Sequence, residues 1–229
     1  MLESLRAQVL EANLEVVRRG LVIYTFGNAS GLARQEGLVV IKPSGVPYDK
    51  MTPADMVITD LDGRVVEGKL RPSSDLATHV ALYRAFPMIG GIVHTHSRHA
   101  TAWAQAGREI PCFGTTHADY FHGPVPLTRH LTAAEIDADY EGTTGVAIIE
   151  AMQGREPLAT PGVLVAGHAP FCWGKTAADA AHTAVVLEYI AGMAAQTVAI
   201  HPAAQPISHA QLNKHYFRKH GPKATYGQT

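Results

Sequence analysis

Apolar residues at helical spacing open the chain: Leu2, Leu5, Val9, Leu14 and Val17, closed by Gly20, predict a first amphipathic helix. Short apolar runs then predict strands at 21–25 and 38–42. A hairpin is predicted with arms at 56–59 and 64–67, flanking the turn sequence Asp60-Leu61-Asp62-Gly63. Pro72-Ser73-Ser74-Asp75 begins a helix that Pro87 stops after Phe86, and an apolar strand over 91–96 feeds another helix from Arg98 to about Ala106. Residues 110–113 are strand-like. Thr132-Ala133-Ala134-Glu135 is a capping box for a short helix, while 146–150 suits strand or helix equally. Gly162-Val163-Leu164-Val165-Ala166-Gly167-His168 reads as a second buried strand. Thr176 caps a long helix to about Val198, and a last helix over 208–220 runs into an irregular polar tail. Helices alternate with strands, and hairpins are interspersed. That order predicts an α/β domain with a mixed sheet covered by helices on both faces, a three-layer α/β/α arrangement, and argues against a wholly parallel sheet.

Composition narrows the classes. At 229 residues and 46% hydrophobic, the chain is long enough for one sizeable core, and nothing in it demands a second domain. A net charge of −1 gives no support for a nucleic-acid or membrane-surface partner. The opening Met1-Leu2-Glu3-Ser4-Leu5-Arg6 lacks a signal pattern, so a cytoplasmic location is expected. No apolar stretch is expected to span a bilayer: the nearest, 184–200, is interrupted by Glu188, Gln196 and Thr197. Cys112 and Cys172 form no CxxC pair and read as small apolar core residues in a reducing compartment.

Three themes of candidate chemistry follow. His94 and His96, at i and i+2 on a strand end, point to the same face, and two neutral imidazoles are half of a tetrahedral zinc shell. The ordinary alternative is a pair of hydrogen-bonded core histidines. His168 holds the matching place at the end of the other buried strand, so three imidazoles from two strand ends form an open zinc site with room for a substrate oxygen. Alone, His168 reads more readily as a helix-entry or core histidine. Asp75, in the first turn of its helix, is a fourth ligand, a nearby base, or a residue favoured there by the helix dipole. The second theme is anion binding. Gly27-Asn28-Ala29-Ser30-Gly31, Lys42-Pro43-Ser44-Gly45 and Ser73-Ser74 are small-residue loops of the kind that offer backbone N–H groups to phosphate, though each alone is commonly just a turn. None matches a Walker or dinucleotide fingerprint. The third theme is acid–base chemistry: Thr115-Thr116-His117-Ala118-Asp119-Tyr120 clusters titratable groups, with Asp119 a base or a cap. The segment His215-Tyr216-Phe217-Arg218-Lys219-His220 reads by itself as a solvated helix, and Tyr226 as part of a frayed tail.

Taken in order, Ile41-Lys42-Pro43-Ser44-Gly45-Val46, Pro72-Ser73-Ser74-Asp75, residues 90–100, residues 114–120 and Phe217-Arg218-Lys219-His220-Gly221 resemble the L-ribulose-5-phosphate 4-epimerases of the class II sugar-phosphate aldolase superfamily, nearly end to end. The resemblance implies a single domain over 1–229 with a largely antiparallel sheet. It implies one zinc ion per subunit on His94, His96 and His168, with Asp75 at the metal. Phosphate contacts would come from Gly27, Asn28, Ser44, Gly45, Ser73 and Ser74, with Lys42 nearby. Asp119 and Tyr226 would be the two catalytic acid/base groups, supported by Thr115 and His215. It further implies a cyclic homotetramer in which the tail, about 207–229, brings His215 and Tyr226 to a neighbouring subunit's site. The implied reaction interconverts L-ribulose 5-phosphate and D-xylulose 5-phosphate by retro-aldol cleavage and re-addition at C3–C4, in pentose routes such as arabinose catabolism. Fuculose- or rhamnulose-phosphate aldolases are the nearest rival, but they carry a glutamate where Asp75 stands. Adducin-type scaffolds share the fold and lack the three histidines.

Overall fold

The computed structural model describes residues 1–220 together with Ala224 and Thr225. Seven strands, β1 (Asn28–Ala33), β2 (Leu38–Ile41), β3 (Val57–Asp60), β4 (Val65–Glu67), β5 (Gly91–His94), β6 (Gly162–Leu164) and β7 (Pro170–Gly174), form one sheet in the order β4-β3-β2-β1-β5-β7-β6. Every ladder is antiparallel. The parallel component is the isolated Leu127–Leu164 bridge. The helices are α1 (Glu3–Arg18), α2 (Leu76–Ala85), α3 (Arg98–Gln105), α4 (Thr115–Ala118), α5 (Ala133–Ala151), α6 (Ala177–Ile200) and α7 (His209–His220).

The period-2 geometry of a strand sorts the apolar residues into two layers. Val40, Val93 and Cys172 face α1, α3 and α6, while their chain neighbours Val39, Ile41, Ile92, Phe171 and Trp173 face α2 and α5. Both faces of the sheet are therefore covered, as the alternation of elements predicts. Helix α6 contains the 184–200 run named above. Despite Glu188 it is 24 residues long and, by length and composition, apolar enough to cross a membrane. It instead packs lengthwise on the sheet beside α1 and α3, where Trp103 Nε1 donates to the carbonyl of Ala191 at 3.0 Å.

Other departures have local causes. Residues 21–25 form no strand, because Gly20, at φ 70°, folds the chain back so that Leu21 N–H bonds the Val16 carbonyl at 2.9 Å. The strand that enters the sheet is the small-residue run Asn28–Ala33, read from sequence as an anion-binding loop. Glycine sits at position 31 because α1 crosses β1 closely: a Cβ on Gly31 would lie 2.9 Å from the side chains of both Leu5 and Val9. The run 162–168 stops as a strand at Leu164, turns, and returns as β7, whose Pro170 and Gly174 hide its strand character. His168 therefore sits in the β6–β7 turn and not on a strand end. Similarly, β5 ends at His94, leaving His96 just beyond it. Residues 110–113 pair only through an Ile110–Val125 bridge. The short helix from Thr132 and the ambiguous 146–150 are one element, α5, broken at Asp139.

Candidate active site

Strand pairing explains why three distant histidines meet. In the β5–β7 ladder His94 stands opposite Phe171, so the turn just before β7 delivers His168 beside the end of β5. His96 Nε2 lies 3.1 Å from His94 Nε2 and 3.2 Å from His168 Nε2, and the three ligand atoms all fall within 4.8 Å of one another. Imidazoles on a tetrahedral zinc, each at about 2.05 Å, place their nitrogens roughly 3.3 Å apart. The two spacings about His96 fit such a shell. The ring of His94 is fixed by a hydrogen bond from Nδ1 to the Pro170 carbonyl at 2.9 Å and by stacking on Phe171. That bond places the proton on Nδ1 and turns the Nε2 lone pair to the centre. The turn carrying His168 is held from two sides: Ala166 N–H donates to Thr128 Oγ1 and Gly167 N–H to the Ala104 carbonyl, each at 3.0 Å. Burial lowers the pKa of all three imidazoles, that of His94 to about 4, so they present neutral nitrogens. The donor set of three neutral imidazoles suits a divalent transition metal.

These histidines open into a cavity of about 390 Å³, also lined by Gly27, Asn28, Lys42, Ser44, Gly45, Ser73, Ser74 and Asp75. Two of the loops form a single surface: Ser44 N–H bonds the Arg71 carbonyl, and Ser73 N–H the Lys42 carbonyl, both at 2.9 Å. Gly27 has φ 75°, and a Cβ there would meet the His94 carbonyl at 2.7 Å, so only glycine lets this turn approach β5. Lys42 is almost wholly buried, its Nζ 3.2 Å from the Pro43 carbonyl and over the Tyr48 ring, and burial lowers its pKa to about 8. Asn28 Nδ2 donates to Asp75 Oδ2 at 2.6 Å, whereas Asn28 Oδ1 is buried with no hydrogen-bond partner among the described residues. Burial would raise the pKa of Asp75, but His94, His79, the Asn28 bond and His168 outweigh it and leave the carboxyl below its ordinary value. Asp75 shares the cavity but stands outside the close group of three nitrogens.

The remaining sequence candidates lie elsewhere in the chain. Thr115 lines a different cavity with Phe113 and Met193, at the N-terminus of α4. Asp119, at the end of α4, is bound by α7: His215 Nδ1 is 3.1 Å from Oδ1, Arg218 donates at 2.8 and 3.2 Å, and Lys219 Nζ is 3.6 Å away. Burial pushes the Asp119 carboxyl up, and the bonds from Arg218 and His215 with the charge of Lys219 bring it below the usual carboxylate range. Tyr226 falls outside the described residues. Sequence reasoning missed Phe26, Tyr140 and Glu141, which also line the metal-side cavity. Phe26 directly follows the 21–25 run read as a strand. Tyr140 and Glu141 follow the break in α5, signalled only by Asp139 and Gly142 at the spacing of an Asx cap, since Gly142 N–H donates to Asp139 Oδ1 at 3.0 Å.

Comparison with known proteins places this geometry. The family described as "Class II Aldolase and Adducin N-terminal domain" matches residues 7–195. The protein described as "L-ribulose-5-phosphate 4-epimerase UlaF" of Salmonella paratyphi B is 56% identical over 227 residues, covering 99% of this chain and 100% of the relative. Its counterpart in Salmonella typhi is equally similar, at 56% over the same 227 residues with the same coverage. Among solved structures, an L-fuculose 1-phosphate aldolase superposes with a TM-score of 0.81 at 23% identity, covering 93% of this chain and 94% of its own. The L-fuculose-1-phosphate aldolase of Thermus thermophilus gives 0.70 at 23% identity, with 89% and 98% covered. At that identity the structures speak for the fold, while the family match and the end-to-end relatives settle the kinship: the chain belongs to the class II aldolase and adducin N-terminal domain family.

Proposed function

We propose that this protein is a metal-dependent L-ribulose-5-phosphate 4-epimerase, interconverting L-ribulose 5-phosphate and D-xylulose 5-phosphate, with zinc the ion its ligands suit. The observation that carries the reading is a single cavity in which three convergent imidazoles face a polar cradle built from Asn28, Lys42, Ser44, Gly45, Ser73 and Ser74. The full-length relatives described as L-ribulose-5-phosphate 4-epimerases support it.

The C4 hydrogen of a 2-ketopentose phosphate is not alpha to the carbonyl, so simple enolisation cannot invert C4. Breaking C3–C4 can. A base removes the C4 hydroxyl proton, the C3–C4 pair passes to the three-carbon fragment as an enediolate, and glycolaldehyde phosphate is left. The aldehyde rotates, the pair re-forms the bond on its other face, and the new C4 oxygen takes a proton back. His94, His96 and His168 would hold the ion, with Asp75 beside them. A divalent ion bound there supplies Lewis-acid stabilisation of negative charge on substrate oxygens. The Lys42–Gly45 and Ser73–Ser74 loops and Gly27 would grip the phosphate and retain the aldehyde between cleavage and re-addition, and Asn28 Oδ1 has acceptor capacity to spare for a substrate hydroxyl. Asp119 and Tyr226 would handle the protons on the two faces, with Thr115 and His215 supporting them.

Asp119 and Thr115 do not line this cavity, and Asp119 is bonded to His215 of its own chain. The reading therefore needs a second copy, in keeping with a cyclic homotetramer, whose Asp119 and His215 arrive together at the metal-side cavity of its neighbour. Incubation of the zinc-loaded protein with L-ribulose 5-phosphate should yield D-xylulose 5-phosphate. Free glycolaldehyde phosphate without xylulose 5-phosphate would make it an aldolase, and no turnover would refute the reading. Complementation tests the shared site. His96→Asn and Asp119→Asn should each be inactive, and random mixing of the two should restore about a quarter of parental activity. No restoration on mixing would refute a site shared between copies.

A further inference from the structure

We infer that Tyr140 is a positioning residue for the metal centre: its phenol oxygen accepts the Nδ1 proton of His168 and thereby fixes the tautomer that leaves Nε2 free to bind an ion. The inference rests on the metal-binding reading above. His94 has its tautomer set by a backbone carbonyl, that of Pro170. The turn carrying His168 supplies no such carbonyl, and the partner of His168 Nδ1 among the described residues is Tyr140 Oη at 3.3 Å. The opposite nitrogen of the same ring points at His96 Nε2, 3.2 Å away, so the ring is strung between the phenol and the centre of the cluster. Ligating imidazoles are commonly oriented by an acceptor on their second nitrogen, which also raises their basicity.

The backbone is arranged to present this phenol. Helix α5 breaks at Asp139, which adopts non-helical angles (φ −166°, ψ 87°), and Tyr140 is the first residue of the restarted segment. Asp139 caps that segment through Gly142 N–H at 3.0 Å, and Thr144 Oγ1 donates to the Tyr140 carbonyl at 2.8 Å. From α2, Thr78 Oγ1 donates to the Glu141 carbonyl at 2.6 Å and ties the restart to the helix that begins beside Asp75. A Cβ on Gly142 would lie 2.0 Å from Asp139 Oδ2 and 2.7 Å from its Cγ, so any side chain there displaces the capping carboxylate.

Zinc affinity measured by chelator competition on the full chain tests the inference. Tyr140→Phe keeps the ring and removes the acceptor. It should weaken zinc binding by about 10- to 100-fold, leave the melting temperature of the metal-free protein unchanged, and shift the d–d absorption of the cobalt-substituted form. Gly142→Ala, which removes no polar group from the cavity, should weaken zinc binding in the same direction by displacing the cap. Tyr140→Phe binding zinc within twofold of the parent would overturn the role of Tyr140 while leaving the metal centre standing. Failure of the parent itself to bind zinc would overturn both.

Discussion

Glu188 offers a quantitative test of how the metal-side loop is held. Helix α3 begins two residues after His96, and its N-cap, Ser97, makes no side-chain capping bond. The N–H groups of its first turn, which have no partner within the helix, are met from α6: Glu188 accepts from His99 N–H at 2.9 and 3.1 Å and from Ala100 N–H at 3.0 Å. A carboxylate at a helix N-terminus gains both charge-assisted hydrogen bonds and the favourable end of the helix dipole. Glu188→Ala abandons two N–H groups. Hydrogen bonds to a charged group are worth about 1.5–3 kcal/mol each, but Glu188 is only half-buried and water recovers part of the loss, so we expect about 2 kcal/mol, the upper range of a lost cap. Glu188→Gln keeps an acceptor oxygen and loses the charge, costing about 1 kcal/mol. For a chain of this length these correspond to falls in Tm of about 4–8 °C and 2–4 °C. Urea or thermal unfolding of the metal-free protein reads both. An unchanged midpoint in Glu188→Ala, or a Gln variant as damaged as the Ala variant, would refute the capping argument.

Two further predictions concern the core. His117 is buried with Nε2 donating to the Gly123 carbonyl at 2.9 Å, and burial lowers its pKa to about 4 against an ordinary value of 6.5. Between those values the unfolded chain binds the extra proton, so stability is lost as pH falls from 6.5 towards 4, by about 2 kcal/mol at pH 4.5 from this residue. Urea midpoints at pH 6.5 and 4.5 should therefore converge more in His117→Gln than in the parent, and an identical pH dependence would discard this role. At the start of β5, a Cβ on Gly91 would lie 2.3 Å from the Thr176 carbonyl oxygen and 2.4 Å from Ala177 N, both backbone atoms at the start of α6. Gly91→Ala must push strand and helix apart by about 1 Å and should cost about 3 kcal/mol or more, seen in soluble yield and urea midpoint. A parental midpoint would mean the approach is looser than described.

Periodicity in the sequence was sufficient for the three-layer plan, because α1, α2, α3 and α6 each carry a readable apolar face or cap. It failed where burial on both sides erases alternation. β1 reads Asn-Ala-Ser-Gly-Leu-Ala because α1 leaves no room at Gly31 while Asn28 and Ser30, on the other face, bond Asp75 and His79, so residues that look like a loop are a central strand. β7 is masked by its proline and glycine ends. The same logic governs the site. His94 and His96 stand two residues apart in sequence and could be paired by spacing, and the small-residue loops could be picked out one by one. That Lys42–Gly45 and Ser73–Ser74 are laced into one wall is set by the isolated Pro43–Pro72 bridge, which no local pattern announces. Tyr140 was invisible for a related reason: its placement depends on a mid-helix break set by Asp139 and Gly142, and a capping box seven residues upstream reads as the helix start.

Helix α3 also acts as a strut. It leaves His96 at one end, and at the other its Ala104 carbonyl clamps the turn that carries His168. The span between two of the three imidazoles is thus gauged by a count of residues. Inserting a single residue would lengthen the rod by about 1.5 Å and swing its far end through about 100°, enough to part the pair. Substitutions on the outer surface of this rod leave that gauge intact, whereas a change in its length does not.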